Sequence, residues 1–282
     1  MEKINQVSGG KQTREQFLQD CRNRARLEEV FEQAYMCNPR GSTSAIVSWA
    51  QIENCMADYQ IERVHLEADQ VRQLFGDVQP GENKEREIRI RNWVGQTFQK
   101  LFSTPGHHDI GFDVAASGQG DLAAMYVDRR KGDESWLQGL LTCRTGDWHF
   151  LECAFRAVMN GCTSPHAAGD ETGMGRQICW NMAKDFPQRF IPINFTSSKS
   201  DLGFGLMNQL AGAQKRFPKT HKDIGSDYFA LRKIHTGGNP GRWVFTEGRN
   251  AANPHSHCDI AWGGGLATRA GSGAVNIGAE VG

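Results

Sequence analysis

The sequence lacks the features that mark a membrane protein, a secreted protein or a small zinc module. Its 282 residues carry 32 basic and 32 acidic side chains, so the molecule has no overall attraction to a polyanion. No apolar run approaches the ~20 residues that cross a bilayer, and the N-terminal residues lack the charged and apolar regions of a signal peptide. None of the eight cysteines forms a Cys-x-x-Cys pair, which argues against a zinc knuckle. We therefore expect a cytoplasmic protein without a membrane partner, whose thiols are free and buried.

The first part of the chain has the pattern of a helical region. Apolar residues recur every three or four positions, which predicts helices near residues 13–34, 49–58, 64–75 and 84–102. Residues 61–66 could instead form a short strand. No residue type or spacing here points to chemistry. We expect residues 1–105 to form a helical N-terminal arm or connector.

The composition changes at residues 103–106, and strand patterns begin there. Predicted strands cover residues 109–116, 121–129, 135–144, a short segment ending at 170, and 189–195. Predicted helices cover residues 150–159, 174–185 and 199–217, followed by a hairpin at 237–248 and a last helix from about 257. Three successive strands and then alternating helices and strands predict an α/β domain with a mixed sheet over residues 106–270. Residues 271–282 are small and polar, and we expect a disordered tail.

Three aspartates lie where an apolar segment ends or begins: Asp113, Asp170 and Asp259. A carboxylate at the carboxyl end of a strand points to the crevice where α/β proteins place their sites. Carboxylate oxygens suit Mg²⁺ or Mn²⁺, and two such ions can activate water and stabilise a leaving oxygen. Each aspartate also has an ordinary interpretation, as a turn acceptor or a helix cap. Together they predict a two-metal phosphodiesterase site.

Other charged residues extend this hypothesis. Asp121 is the first choice for an additional metal ligand, ahead of Glu171 and Glu247. Because the net charge is zero, contact with nucleic acid requires a local basic surface. Basic residues within and just after the predicted helix 199–217 could supply it, although such a run is often only a solvated face. The candidates are Lys199, Lys215 and Arg216, with Lys219 and Lys222 nearby.

Three short motifs suggest other chemistry. His255, His257 and Asp259 have the spacing of a His-x-His-x-Asp metal cluster, to which His107 and His108 could contribute, so a metallo-hydrolase is the alternative function. Residues 118–123 match the spacing of a dinucleotide-binding loop, but a strand pattern follows them. Residues 8–13 resemble a P-loop without its Ser/Thr, its first glycine or a preceding strand, so ATP binding is not expected.

Several of these segments together resemble the C-terminal nuclease part of phage terminase large subunits, in particular those of Mu-like prophages. The matching segments are residues 111–115 with Asp121 shortly after, 170–175, 195–199, and 257–259 entering a small-residue helix. They span roughly residues 106–270. Residues 32–39 also resemble the stretch that closes the motor domain of that family.

The resemblance implies a ribonuclease H-like nuclease that cuts concatemeric double-stranded DNA during capsid filling in the bacterial host cell. It implies Asp113, Asp170 and Asp259 as ligands of two Mg²⁺ or Mn²⁺ ions. A portal protein, a small terminase subunit and a separate ATPase polypeptide are the implied partners, since no recognisable ATPase motif is present. A prophage remnant that binds DNA without cutting it is a further possibility.

Overall fold

The computed structural model describes residues 13–25, 44–79, 83–115, 122–173, 175–237, 242–248, 250 and 256–279. The described strands are β1 Met56–Ala57, β2 Glu62–Glu67, β3 His108–Asp113, β4 Ala123–Lys131, β5 Glu134–Arg144, β6 Pro165–Asp170, β7 Phe190–Ile193, β8 Lys215–Pro218, β9 Leu231–His235 and β10 Trp243–Glu247. The described helices are α1 Arg14–Ala25, α2 Trp49–Cys55, α3 Ala68–Phe75, α4 Lys84–Thr97, α5 Gln99–Ser103, α6 Trp148–Gly161, α7 Gly175–Asp185, α8 Phe195–Ala211, α9 Lys222–Ala230 and α10 Asp259–Ala279.

Eight of the strands form one mixed sheet. Their order is β1–β8–β5–β4–β3–β6–β7, and β2 pairs with the remaining length of β5. The central strands β3, β4 and β5 are antiparallel, whereas β6 runs parallel to β3 and β7 runs parallel to β6. Strands β9 and β10 form a separate antiparallel pair. The predicted mixed α/β architecture is confirmed.

Helices cover both faces of the sheet, and each face has its own buried cluster. Helices α3, α4, α6 and α7 pack on one face, and α2, α8, α9 and α10 pack on the other. Because side chains alternate along a strand, Ile110 and Phe112 of β3 enter the first cluster, while Gly111 between them faces α10. The α10 face is the one that matters for the acidic residues.

Residues 44–79 and 83–104 contribute to this packed structure. Leu66 and Val94 contribute to the first cluster, and Ile52 contributes to the second. The region contains helices, as predicted, and also strand β2, whose residues 62–67 pair with β5. The division into an arm and a nuclease domain stays a prediction, because the packing marks no boundary at residue 105.

The structure differs from the sequence-based expectation after residue 211. The helix predicted to reach residue 217 ends at Ala211, where Gly212 and the left-handed backbone of Ala213 (φ 50°) turn the chain into β8. Strand β8 has only four residues, two of them basic, so it gives no alternating apolar pattern that would separate it from the preceding helix. Helix α10 continues to Ala279, so the disordered tail expected from residue 271 is helical there; the segment contains no proline that would end a helix. Within the described residues, no helix is both long and apolar enough to cross a membrane.

Candidate acidic site

Two neighbouring strands end with the first two aspartates. Strands β3 and β6 are parallel, and Phe112 lies opposite Gly169, so Asp113 and Asp170 follow at the same edge of the sheet. Their side chains point to the same face. Gly111 meets α10 and Ala168 belongs to the cluster beneath α10, and each aspartate lies two residues further along its strand. The strands therefore bring two distant carboxylates side by side beneath one helix.

Helix α10 supplies the third aspartate. It packs across β3, β4 and β6, and its first residue is Asp259. A side chain at Gly111 would put its Cβ 1.8 Å from the carbonyl oxygen of Gly263, so only glycine allows this close approach. The contact fixes the start of α10 over the strand ends, where Asp113 lies.

Backbone amides hold the Asp259 carboxylate in place. Its Oδ2 atom accepts hydrogen bonds from the N–H groups of His257 (3.1 Å) and Leu122 (3.3 Å). The hydroxyl of Ser256 lies 3.5 Å from the same oxygen. These donors leave the charge of the carboxylate in place while restricting its orientation.

A fourth buried aspartate, Asp227 on α9, fixes the segment that leads into α10. Its carboxylate accepts hydrogen bonds from the Ala261 N–H (2.9 Å), the Asn250 side-chain amide (2.8 Å) and the Ser256 hydroxyl (2.5 Å). Burial raises the pKa of Asp227, and these hydrogen bonds oppose the rise. Sequence reasoning missed Asp227, because α9 was not predicted and no motif includes this residue.

The three carboxylates affect one another electrostatically. Burial raises the pKa of Asp113 well above its usual range, and the negative charges of Asp259 and Asp170 raise it further. Burial also raises the pKa of Asp170, although the N–H and hydroxyl groups of Thr172 oppose this effect by hydrogen bonding. The fold therefore concentrates negative charge in one pocket, where burying the ionised carboxylates costs free energy.

The ammonium group of Lys199 lies near this pocket, and Asp113 and Glu247 both interact with it. Lys199 of α8 lowers the pKa of Asp113, but its Nζ atom forms an ion pair with Glu247 at the end of β10. Lys199 Nζ also lies 5.1 Å from the ring centre of Trp262, whose Nε1–H donates to Glu247 at 2.8 Å. Glu247 raises the pKa of Asp113 in turn, so Lys199 does not neutralise the cluster.

The spacing of the carboxylates bears on what they could bind. Within the described residues, Glu87, His149 and Cys153 form the group of three possible ligands whose atoms all lie within 4.8 Å of one another, and the three aspartates do not form such a group. Their wider spacing is unsuited to a closed cage around one ion. It is compatible with oxygen ligands distributed over two ions.

The Glu87, His149 and Cys153 group has a structural explanation. Arg86 can only donate, and its Nη1 atom lies 2.5 Å from His149 Nδ1, so Nδ1 accepts and the proton lies on Nε2. Nε2 faces the Glu87 carboxylate at 3.4 Å. No ring nitrogen remains free for a metal ion or to deprotonate Cys153, whose pKa burial raises to about 11.

Three of the basic residues proposed from the sequence, Lys199, Lys215 and Arg216, are paired with acidic side chains. Lys215 is completely buried in β8, and its Nζ atom binds Asp128 (2.5 Å) and the Gly264 carbonyl oxygen (2.8 Å). The prediction that Lys215 contacts DNA is wrong, because the segment is an inner strand rather than an exposed helix. Arg216 is half-buried and paired with Glu134 at 2.6 Å.

The residues of the alternative histidine cluster are only partly described. His257 is exposed beside Asp259, whereas His255 and the possible ligand Asp121 lie outside the described residues, as do residues 8–12, 32–39 and 118–120. His108 is buried at the opposite end of β3 from Asp113, and its Nδ1 atom lies 2.9 Å from the Thr163 carbonyl oxygen. His108 therefore does not join the acidic pocket.

Comparison with known proteins gives a likeness in fold. No protein-family profile and no curated protein sequence matches the chain. The large terminase nuclease of thermophilic phage G20c, solved with bound magnesium, superimposes with a TM-score of 0.52 at 16% identity, over 81% of this chain and 98% of that one. The large terminase of HK97 bacteriophage gives a TM-score of 0.48 at 11% identity, over 93% of this chain and 51% of that one. The chain thus has the ribonuclease H-like fold of a terminase nuclease, with a mixed sheet between helices.

Proposed function

We propose that this protein is a divalent-metal-dependent endonuclease that hydrolyses phosphodiester bonds of double-stranded DNA. The observation that carries the proposal is the convergence of Asp113, Asp170 and Asp259, in which the negative charges of Asp259 and Asp170 raise the pKa of the buried Asp113. Such a cluster is destabilising unless cations or donors compensate it. The likeness in fold to a terminase nuclease supports the same reaction class.

The residues present fit hard divalent cations. Their donors are carboxylate oxygens, which Mg²⁺ and Mn²⁺ prefer. Asp113, Asp170 and Asp259 would hold two such ions, and Asp113 would be the central ligand because the negative charges of both other aspartates raise its pKa. Asp121 is a possible further ligand. Bound ions would supply the positive charge that stabilises the phosphodiester's leaving oxygen and favours ionisation of the attacking water.

The chain's own groups would orient this site. The amides of His257 and Leu122 fix the Asp259 carboxylate, and the Thr172 N–H donates to Asp170 at 2.8 Å. Lys199 lies at the edge of the pocket and adds positive charge where a phosphate would approach. Preorganised groups of this kind reduce the rearrangement needed during the reaction.

The resemblance in sequence motifs extends the proposal to a biological role. We propose that the protein acts as a terminase-type nuclease of the Mu-like prophage group, which cuts concatemeric DNA during packaging in the cytoplasm of a bacterial host. Its partners would be a portal protein, a small terminase subunit and a separate ATPase polypeptide.

Nicking and linearisation of a supercoiled plasmid test the reaction. We expect cleavage with Mn²⁺ or Mg²⁺ and none with EDTA, and a loss of about 10²-fold or more in Asp113→Asn, as when a key charged group is removed from an active site. Asp133→Asn, in an exposed turn, is the matched control and should cut as the parent does. Equal cleavage by Asp113→Asn would refute the assignment of Asp113.

Two further results would favour a different function. DNA binding without cleavage at any metal concentration would identify a non-catalytic DNA-binding module. Tightly bound zinc in the purified protein, lost together with activity in His257→Ala, would favour the metallo-hydrolase built on His255, His257 and Asp259.

A further inference from the structure

One exposed face of α7 combines a tryptophan with two cations. Trp180 is 62% exposed, more than any other large apolar side chain of the described chain. Arg176 and Lys184 lie four residues before and after it, so the three side chains follow one line along the helix. A tryptophan this exposed is uncommon on a monomer and marks a contact surface when polar groups surround it.

The opposite side of α7 fixes the helix next to the acidic pocket. Ile178 and Met182 are buried against the sheet. A Cβ on Gly175 would lie 2.2 Å from the carbonyl oxygen of Asp170, so the helix begins directly against this strand end. The Cys179 thiol donates to the same carbonyl oxygen at 3.2 Å. Helix α7 therefore begins at the strand end that carries Asp170, on the sheet face opposite α10, and its exposed line of side chains leads away from this strand end.

The two cations of this face are not neutralised. In the part of the chain that the structure describes, Asp185 and Glu152 pair with Arg156, and neither Arg176 nor Lys184 takes part in an ion pair. Lys184 Nζ lies 5.9 Å from the ring centre of Trp180. By contrast, the basic residues that the sequence suggested are bound to acidic partners.

We infer that Arg176, Trp180 and Lys184 form a docking surface for the backbone of double-stranded DNA, on the helix that begins at the strand end carrying Asp170. The eight residues from Arg176 to Lys184 rise about 12 Å along the helix, which is roughly three to four base-pair steps of 3.4 Å. The cations match phosphate charges, and the indole offers an apolar surface to the sugars and an N–H donor to a phosphate oxygen. This surface gives a neutral protein the local basic face that DNA binding requires. The inference rests on the proposed function only in taking DNA as the substrate.

Fluorescence anisotropy with a labelled duplex of about two helical turns, with EDTA and then with Ca²⁺, measures binding in the full chain. Arg176→Gln/Lys184→Gln should bind at least 10-fold more weakly at low salt. The slope of log affinity against log salt should fall by about 1.8, because two phosphate contacts are lost. Trp180→Ala should weaken binding about fivefold, as expected for an interface tryptophan. All three positions are exposed, so thermal unfolding should match that of the parent.

The control is Arg91→Gln/Lys100→Gln, which removes the same charge from exposed positions on α4 and α5. It should leave affinity and salt slope unchanged. Equal losses in the control and the α7 variant would overturn the inference, because any lost cation would then have the same effect. Absence of duplex binding by the parent would also overturn it. If the parent binds but cuts with no metal ion, the proposed function fails while the affinities still decide the docking surface.

Discussion

Two sets of charged side chains lie beneath α10, and their charges are balanced in opposite ways. Lys215 and Asp128 form a completely buried ion pair, and the ammonium also donates to the Gly264 carbonyl oxygen of α10. Asp113, Asp170 and Asp259 lie toward the strand ends and repel one another. The first set holds the helix on the sheet, because each charge has a partner. In the second set the negative charges of Asp259 and Asp170 raise the pKa of Asp113, so these carboxylates destabilise one another.

The largest expected effect comes from breaking the buried pair. Lys215→Met would leave Asp128 buried without its partner and should lower the free energy of unfolding by about 3–5 kcal/mol, measured by urea denaturation. Replacing both residues, as Asp128→Val/Lys215→Met, should recover most of this loss. A double variant as unstable as the single one would contradict the view that the attraction between Asp128 and Lys215 mainly offsets the cost of burying their charges.

The single variant should also depend on pH in a defined direction. Burial raises the pKa of Asp128 to about 6, although Lys215 opposes the rise, so removing Lys215 raises this pKa further. A folded-state pKa above the unfolded value means that the folded protein holds the extra proton, so stability falls as pH rises between the two values. Lys215→Met should therefore lose more stability at pH 8 than at pH 5.

Asp227 is an intermediate case, a buried charge satisfied by neutral donors. Asp227→Asn keeps the shape but leaves one of the donors from Ala261, Asn250 and Ser256 without an acceptor, so we expect a loss of about 2 kcal/mol in the urea experiment. Ser256→Ala removes a single hydrogen bond and should cost about 1 kcal/mol. Equal stability of Asp227→Asn and the parent would show that the network does not hold the start of α10.

The smallest expected effect has the opposite sign. Without divalent metal, Asp113→Asn removes one of the repelling carboxylates and should stabilise the protein by roughly 1 kcal/mol. Mn²⁺ should raise the melting temperature of the parent, because it binds only the folded site, and should raise that of Asp113→Asn much less. Asp133→Asn should behave as the parent in both conditions. A destabilised Asp113→Asn would mean that the pocket is already balanced without metal.

Much of the sheet was predictable because its signals are local. Strands β3, β4 and β5 and helix α6 lie close to the predicted segments, since each combines an apolar pattern with a turn signal at its end. The charge of Asp113 at the end of an apolar strand was visible in the same way. Strand β8 and helix α9 were not predicted, because β8 has only four residues, two of them basic, and α9 has only nine, which is too few for a clear period.

The amino-acid order by itself determined the central strands β3, β4 and β5, helix α6, and the acidic residues that stand at the ends of apolar segments. Only the tertiary structure decided that Lys215 is internal, that Asp227 supports α10, and that Arg176, Trp180 and Lys184 remain exposed beside Asp170. The tendency of these segments to form a strand or a helix depends on residues that are neighbours in the chain. The environment of a charge is set by residues a hundred positions away, because burial and ion pairing depend on which elements pack together.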